Sequence, residues 1–471
     1  MGGLHDLSAL EQAAAMRRGE LRPLELVEHY LARIERLDAT LGAFVTVTAE
    51  RAREAAQRAE RRLAEADPPP LCGVTTAIKD LNGLAGVATS FGTAAFPAIV
   101  APVSDHVAAR VEGDGLVVLG KTNTPEFGLP CYTEPDVALP ARCPFDLGRS
   151  AGGSSGGAAA AVAGGLVALA HGSDGAGSIR IPASACGLVG LKPSRGRVSA
   201  GPRAADPFGL VVHGPIARTV ADAAALLDAM AGPMPGDPFW APPPPGGETF
   251  LEALAHPPAR LHIGVSAEPV IIDTAVDPRC LAALEATVEL LESLGHRVSP
   301  APRPFSRALT EQFETLWAVG AAAIPVPADA AARLRPLTQW LRRRGEPVLA
   351  TAALAALGAL QDAAREAVIA TSAFDAVLTP TLAQLPAPVG ALRDDDDPAA
   401  DFAAQKRFTP FTAPANLTGQ PAISLPLCWS ADGLPIGVQL VGRPAGEAAL
   451  LQLAGELEAA RPWRDRQPAC W

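Results

Sequence analysis

Large aromatic side chains are scarce in this chain: Phe, Trp and Tyr make up 5% of its 471 residues, and only two residues are tyrosine. Alanine, glycine, leucine and valine must therefore fill much of any core, and the 48% hydrophobic fraction is ample for a large one. Charged residues are few, at 19%, and sum to a net charge of −11. That balance argues against non-specific nucleic-acid binding, which needs clustered Lys and Arg to neutralise phosphates. A local basic pocket is still compatible with it, because the charge is summed over the whole surface. The seven cysteines are widely spaced, odd in number and without a C-x-x-C pair, so they read as buried free thiols. The opening MGGLHDLSAL lacks a basic stretch followed by an apolar one. No signal peptide is expected, and a cytoplasmic location is the default.

Residues 150–171 contain no Asp, Glu, Lys or Arg, a run long enough to raise the question of a membrane. Its six glycines, early serines and few large side chains point instead to a glycine turn leading into a buried, alanine-rich helix. Upstream, Ser8 followed by Glu11 has the form of a capping box, Gly19 can end that helix, and Pro23 suits the first turn of the next. Residues 1–65 thus read as a helical arm packed on the core, and 66–471 as one large unit. Strand-like runs at 75–79, 116–119, 262–265, 376–378 and 436–441 alternate with helical patterns. Thr219 and Asp222 form a second capping-box pattern, and 233–247 reads as a surface connection. The expected class is α/β, with a large mixed, mostly parallel twisted sheet surrounded by helices.

Several chemistries fail on pattern. GRSAGGSSGG at 148–157 is glycine-rich but lacks the GK[ST] ending of a phosphate loop, and it is no G-x-G-x-x-G fingerprint. GRSAG matches a nucleophile elbow only as G-x-S-x-G, with no clear strand before it. His171 and Asp174 are candidate metal ligands without the further histidines a site needs. His171 reads more simply as a polar residue closing the buried helix. The acidic run 394–397 reads as an exposed loop, since no oxygen pattern for calcium is spelled out. What remains is hydroxyl chemistry with a base other than histidine: Lys79 after a strand, Ser154 and Ser155 in a glycine turn, and Ser178 beyond them. Each alone is ordinary, because serines near glycines usually serve turns.

Together they are not. The chain resembles the amidase signature family over nearly its whole length, through AIKDLNGLAGVATSFGT from 77, GKTNTPEFG from 120, GRSAGGSSGGAAAAVAGG from 148 and GSDGAGSIRIPASACGLVGLKPSRGRV from 172. GPIARTVADAAALLD from 214 and GLPIGVQLVGRP from 433 extend the match. The resemblance implies amide hydrolysis with Ser178 as nucleophile, Ser154 as bridging serine and Lys79 as base, and it implies no cofactor. It also implies a cis peptide bond between Gly153 and Ser154, and a supporting role for Ser155, Ser173, Asp174 and Arg180. The family pattern of two glycines before the nucleophile is broken here by Ala176. If position 176 needs a positive φ, alanine carries roughly 1 kcal/mol of strain; otherwise its β-carbon narrows the acyl side of the pocket.

The chemistry fits these residue types. A serine attacks an amide only as its proton leaves, and a bridging hydroxyl both donates and accepts, so it can pass that proton to an amine. The amine must be neutral, which burial promotes against a reference pKa near 10.4. The backbone amides of Gly175, Ala176, Gly177 and Ser178 are candidates to hold the developing oxyanion. Segments 127–144, 317–325, 379–386 and 408–418 are expected to wall the pocket, with Cys131, Tyr132, Phe145, Trp317 and Phe411 as contacts. Their low charge points to a small-molecule amide substrate that is uncharged. A carbamate, a cyclic or linear nylon-oligomer amide, the glutaminase subunit of a tRNA-dependent amidotransferase and an inactive binding scaffold stay open. No nucleic-acid or membrane partner is expected, and a monomer and a homo-oligomer are equally compatible.

Overall fold

A computed structural model describes residues 3–202, 206–303, 305–306 and 309–471. Its centre is the helix Gly156–Ala163, every residue of which is buried. Small side chains make that possible. A β-carbon on Gly157 would lie 2.3 Å from Asn123 N and 2.5 Å from Ala43 O, so the helix could not approach the neighbouring backbone this closely with any larger residue. The uncharged run 150–171 is therefore core; among the described residues no single helix is long and apolar enough to cross a membrane.

Two sheets flank this helix. The larger runs in the order Arg297–Pro300, His262–Val265, Ala376–Pro380, Pro435–Gly442, Ala422–Trp429, Val189–Lys192, Val212–Ala217, Leu169–Asp174. The smaller orders Phe44–Val47, Val117–Thr122, Thr75–Lys79. They meet at one seam, where the Lys79 backbone N–H donates to His171 Nδ1 at 3.3 Å.

The sheet is mixed as expected, but it is not mostly parallel. Five of the seven pairings in the large sheet are antiparallel, and only the two made by His262–Val265 are parallel. Alternating strands and helices report layers, not neighbours. Val212–Ala217 inserts antiparallel between Leu169–Asp174 and Val189–Lys192, and the short turn from Trp429 to Pro435 permits only a hairpin. His171 also moves: the buried helix ends at Ala163, and His171 lies on a strand.

The first 65 residues hold three long helices, Ala9–Arg17, Pro23–Leu41 and Ala49–Leu63, interrupted by the strand Phe44–Val47. That strand pairs antiparallel with Val117–Thr122, so this stretch enters the sheet as well as packing on it. Ser8 and Glu11 form the full capping box. The second box is only half formed. Thr219 caps Asp222 N, while the Asp222 carboxylate accepts from Ala9 N and Leu10 N, 3.1 and 3.0 Å away, and so ties the first helix to the body. Arg33 adds a second tie by donating to the carbonyls of Gly164 and Gly165 at the end of the buried helix. All seven cysteines are free, five of them buried.

Candidate active site

Lys79 ends its strand at the seam between the sheets and is completely buried. Burial pushes its pKa down to about 7, with the Asp174 carboxylate pulling the other way. Its Nζ lies 2.8 Å from Ser154 Oγ, 3.0 Å from Ser173 Oγ and 3.3 Å from the Ser173 carbonyl. Behind it, His171 Nε2 faces His213 Nδ1 at 3.0 Å, and burial holds both rings far below the usual histidine range, His213 at about 4. Because Lys79 N–H donates to Nδ1, the His171 proton resides on Nε2.

Ser154 follows a cis peptide bond from Gly153. Ser155 opens the buried helix, donates its hydroxyl to the Ser173 carbonyl at 3.1 Å and accepts from Ser173 N at 3.2 Å. Its own N–H donates to the Ser178 carbonyl at 3.2 Å, which joins the two serine segments. Ser173 thus touches the lysine directly, and Ser155 reaches it through Ser173.

The Ser178 loop is clamped from below. Asp174 Oδ1 accepts from Gly177 N at 2.6 Å, Arg180 Nη2 at 2.9 Å and Asn416 Nδ2 at 3.0 Å. Its Oδ2 accepts from Arg180 Nε at 3.0 Å and Ile179 N at 3.2 Å. Burial pushes the Asp174 pKa up, but the Arg180 guanidinium and these donors outweigh it and bring the carboxyl to about 2. Arg180 spends its remaining donors on Thr412 O, Gln439 Oε1 and Asn416 Oδ1. Asn416, Thr412 and Gln439 hold this loop and its ion pair in place, and sequence reasoning did not single them out. Asn416 also donates to the Asp174 carbonyl, and the Thr412 hydroxyl donates to Ala176 O at 2.5 Å. Thr412 and Asn416 fall in the expected wall segment 408–418 and Gln439 in GLPIGVQLVGRP, but nothing in those stretches points to partners more than 230 positions upstream. Arg180→Met would leave a buried carboxylate uncompensated, so its urea midpoint is expected to report a loss of roughly 3–5 kcal/mol. Arg180→Lys is expected to rescue little of that, because an ammonium cannot reproduce the guanidinium fork.

This clamp corrects the expected oxyanion set. The Gly177 N–H is already taken by Asp174, whereas the N–H groups of Gly175, Ala176 and Ser178 have no acceptor among the described residues. Gly177, at φ +133°, is the position that needs glycine: a β-carbon there would lie 2.3 Å from Thr412 Oγ1. Ala176 is outside the positive-φ region and carries no such strain.

Ser178 is 9% exposed and makes no side-chain hydrogen bond among the described residues. It opens onto a cavity of about 640 Å³, and Ala176 lines the same wall. Cys131 and Trp317 line it, the Cys131 thiol held protonated because burial pushes its pKa up. Phe313 stacks on Trp317 at 5.7 Å between ring centroids. Four expectations fail. Tyr132 is buried beside the cavity, its hydroxyl donating to Asp401 Oδ2 at 2.6 Å. Phe411 and Thr379 face a second cavity of about 570 Å³ on the other side of Ala413–Thr418, and segment 379–386 contributes nothing to the first. Phe145 packs on Trp429 instead, at 4.7 Å between ring centroids. Among the described residues, no group of three or more His, Cys, Asp or Glu side chains is arranged to hold a metal ion.

The amidase family profile matches residues 25–451. A 6-aminohexanoate-cyclic-dimer hydrolase from Paenarthrobacter ureafaciens is 36% identical over 98% of this chain and 96% of its own. A solved structure of a 6-aminohexanoate cyclic dimer hydrolase superposes with a TM-score of 0.91 at 33% identity, covering 100% of both chains. The crystal structure of a bacterial aryl acylamidase of the amidase signature family gives 0.87 at 27% identity, covering 98% of each. The fold with its large mixed sheet, the buried lysine beside paired serines and these likenesses lead to one conclusion: the chain belongs to the amidase signature family and is a hydrolase acting on amide C–N bonds.

Proposed function

We propose that this enzyme cleaves a small, uncharged aryl or aliphatic carboxylic amide through an acyl-enzyme formed on Ser178. One observation carries the reading: a wholly buried amine with a pKa of about 7 sits 2.8 Å from the Ser154 hydroxyl. A neutral amine has two N–H donors and one lone pair. The Ser173 hydroxyl and carbonyl can take the two donors, which leaves the lone pair for the Ser154 O–H.

In the first half-reaction Ser178 Oγ bonds to the substrate carbonyl carbon. Its proton passes to Ser154 as the Ser154 proton passes to Lys79. The carbonyl oxygen becomes negative against the free N–H groups of Gly175, Ala176 and Ser178, each such donor being worth about 3 kcal/mol in comparable sites. The C–N bond then breaks as the Lys79 ammonium returns a proton through Ser154 to the departing nitrogen, since an amine leaves poorly as an anion. Water attacks the ester carbon, the relay runs again and the acid is released. Side chains, backbone amides and water suffice for every step.

The lining supports an uncharged substrate: it is apolar around Ser178, and its two charged residues, Glu314 and Lys406, pair with each other. That arrangement gives less support to the glutaminase-subunit reading, which needs a cation for the glutamine carboxylate. A second reading, a cyclic or linear nylon-oligomer amide, is favoured by the likeness to the 6-aminohexanoate cyclic dimer hydrolases. A carbamate shares the same carbonyl chemistry. An activity screen over anilides, aliphatic amides, cyclic amides and carbamate esters tests the proposal. Turnover of anilides or aliphatic amides is expected. Turnover confined to carbamates, or none on any class, would overturn it.

A further inference from the structure

Two helices face each other across the outer part of the Ser178 cavity. Thr310–Ala323 presents Thr310, Phe313, Glu314 and Trp317. Pro398–Phe408 presents Phe402, Gln405 and Lys406. Steps of three and four put each set on one side of its helix. The two backbones barely approach one another, so the space between them is spanned by side chains. Among the described residues one polar link crosses it, the ion pair Lys406 Nζ–Glu314 Oε1 at 2.5 Å.

The pair sits towards solvent. The Glu314 and Lys406 side chains are 14% and 21% exposed, and Arg344, 41% exposed, reaches Glu314 from outside at 3.3 Å. Lys406 also lies over the Phe402 ring, 5.3 Å from its centroid, and Arg344 over the Trp340 ring at 4.6 Å. All three charges thus have partners, and Glu314 and Lys406 stand in a cavity lining that is otherwise mostly apolar. Placing two long side chains mostly out of water costs rotamer freedom and hydration, and well-packed apolar residues commonly replace such pairs with no loss of stability. Stability alone therefore gives no reason for the pair.

We infer that Glu314 and Lys406 form a clasp that sets how long an acyl chain the enzyme accepts. The inference rests on the amide-hydrolase reading, in which the acyl group stays on Ser178 through both half-reactions and occupies this cavity. A short acyl chain ends among Phe313, Trp317 and Phe402. A longer one must part the ion pair and lay methylenes against two unpaired charges, which loses the pair and gains little from burial.

Straight-chain N-acyl 4-nitroanilides, which keep one leaving group while the acyl chain lengthens, test this directly. The readout is the ratio of kcat/KM for the decanoyl substrate to that for the butanoyl substrate. In the near-isosteric variant E314Q/K406M the ratio is expected to rise at least tenfold, whereas K406R, which keeps the charge and the pair, is expected to stay within twofold of the native ratio. A ratio within twofold of native in E314Q/K406M would overturn the clasp, and so would an equal rise in K406R. Butanoyl turnover by all three proteins leaves the amide-hydrolase reading standing whichever way the ratio falls. Absence of turnover on every chain length by the native enzyme strikes that reading, and the clasp with it.

Discussion

Ser178→Ala is expected to abolish turnover while leaving the fold untouched. The kcat should fall by roughly 10⁴- to 10⁶-fold, the range seen when a serine hydrolase loses its nucleophile but keeps its oxyanion donors and binding pocket. Its side chain makes no hydrogen bond among the described residues, so removing it strands no buried partner, and the thermal midpoint should stay close to native. Labelling by a fluorophosphonate should disappear together with activity. Residual turnover near native, with the label found on another residue, would move the nucleophile elsewhere. Cys131 is the one thiol in the cavity wall, and burial keeps it protonated.

Lys79→Met should cost nearly as much. Methionine fills a similar volume without an amine, so Ser154 keeps its place but has nothing to pass a proton to. A loss of roughly 10³- to 10⁵-fold in kcat/KM is expected from the general-base and nucleophile-activation roles combined. The variant also has a stability signature that a lysine charged in the fold would not give. The native lysine has a folded pKa of about 7, below its unfolded value near 10.4. Between those two values the unfolded chain binds the extra proton, so native stability rises with pH across that window. Lys79→Met lacks this term. Its urea midpoint should exceed the native one at pH 7, and the gap should narrow as pH approaches 10. Equal midpoints at both pH values would mean that the lysine is charged in the fold.

Lys79, Ser154 and Ser178 were nominated through the family resemblance carried by AIKD at a strand end, GGSSGG before an alanine-rich helix and GAGSIR after the strand Leu169–Asp174, since each residue alone is ordinary. The Ser8 capping box and the strands Thr75–Lys79, His262–Val265 and Pro435–Gly442 were legible directly, their signals lying within a few residues. What failed depends on distant partners. The stretches that hold Asn416, Thr412 and Gln439 were noticed, but not these three side chains, whose contacts exist only because the fold brings them under Asp174 and Arg180. Phe44–Val47 is a four-residue strand between two strong helices, stabilised by its neighbour Val117–Thr122 and not by any pattern of its own. Tyr132 and Phe411 belong to segments that do meet the pocket, but their side chains point to Asp401 and to the second cavity. Sequence can nominate a loop as a wall; only packing decides which face of it is inside.

The proposed chemistry requires an uncharged amine at Lys79 that draws the proton from Ser178 through Ser154. The pH dependence of the rate at which a fluorophosphonate labels Ser178, followed by intact mass from pH 5 to 9, measures that most directly. The native rate is predicted to rise about tenfold per unit below pH 7 and to level off above it, with Lys79→Met slow and flat throughout. A native rate independent of pH, or the same rise preserved in Lys79→Met, would contradict it.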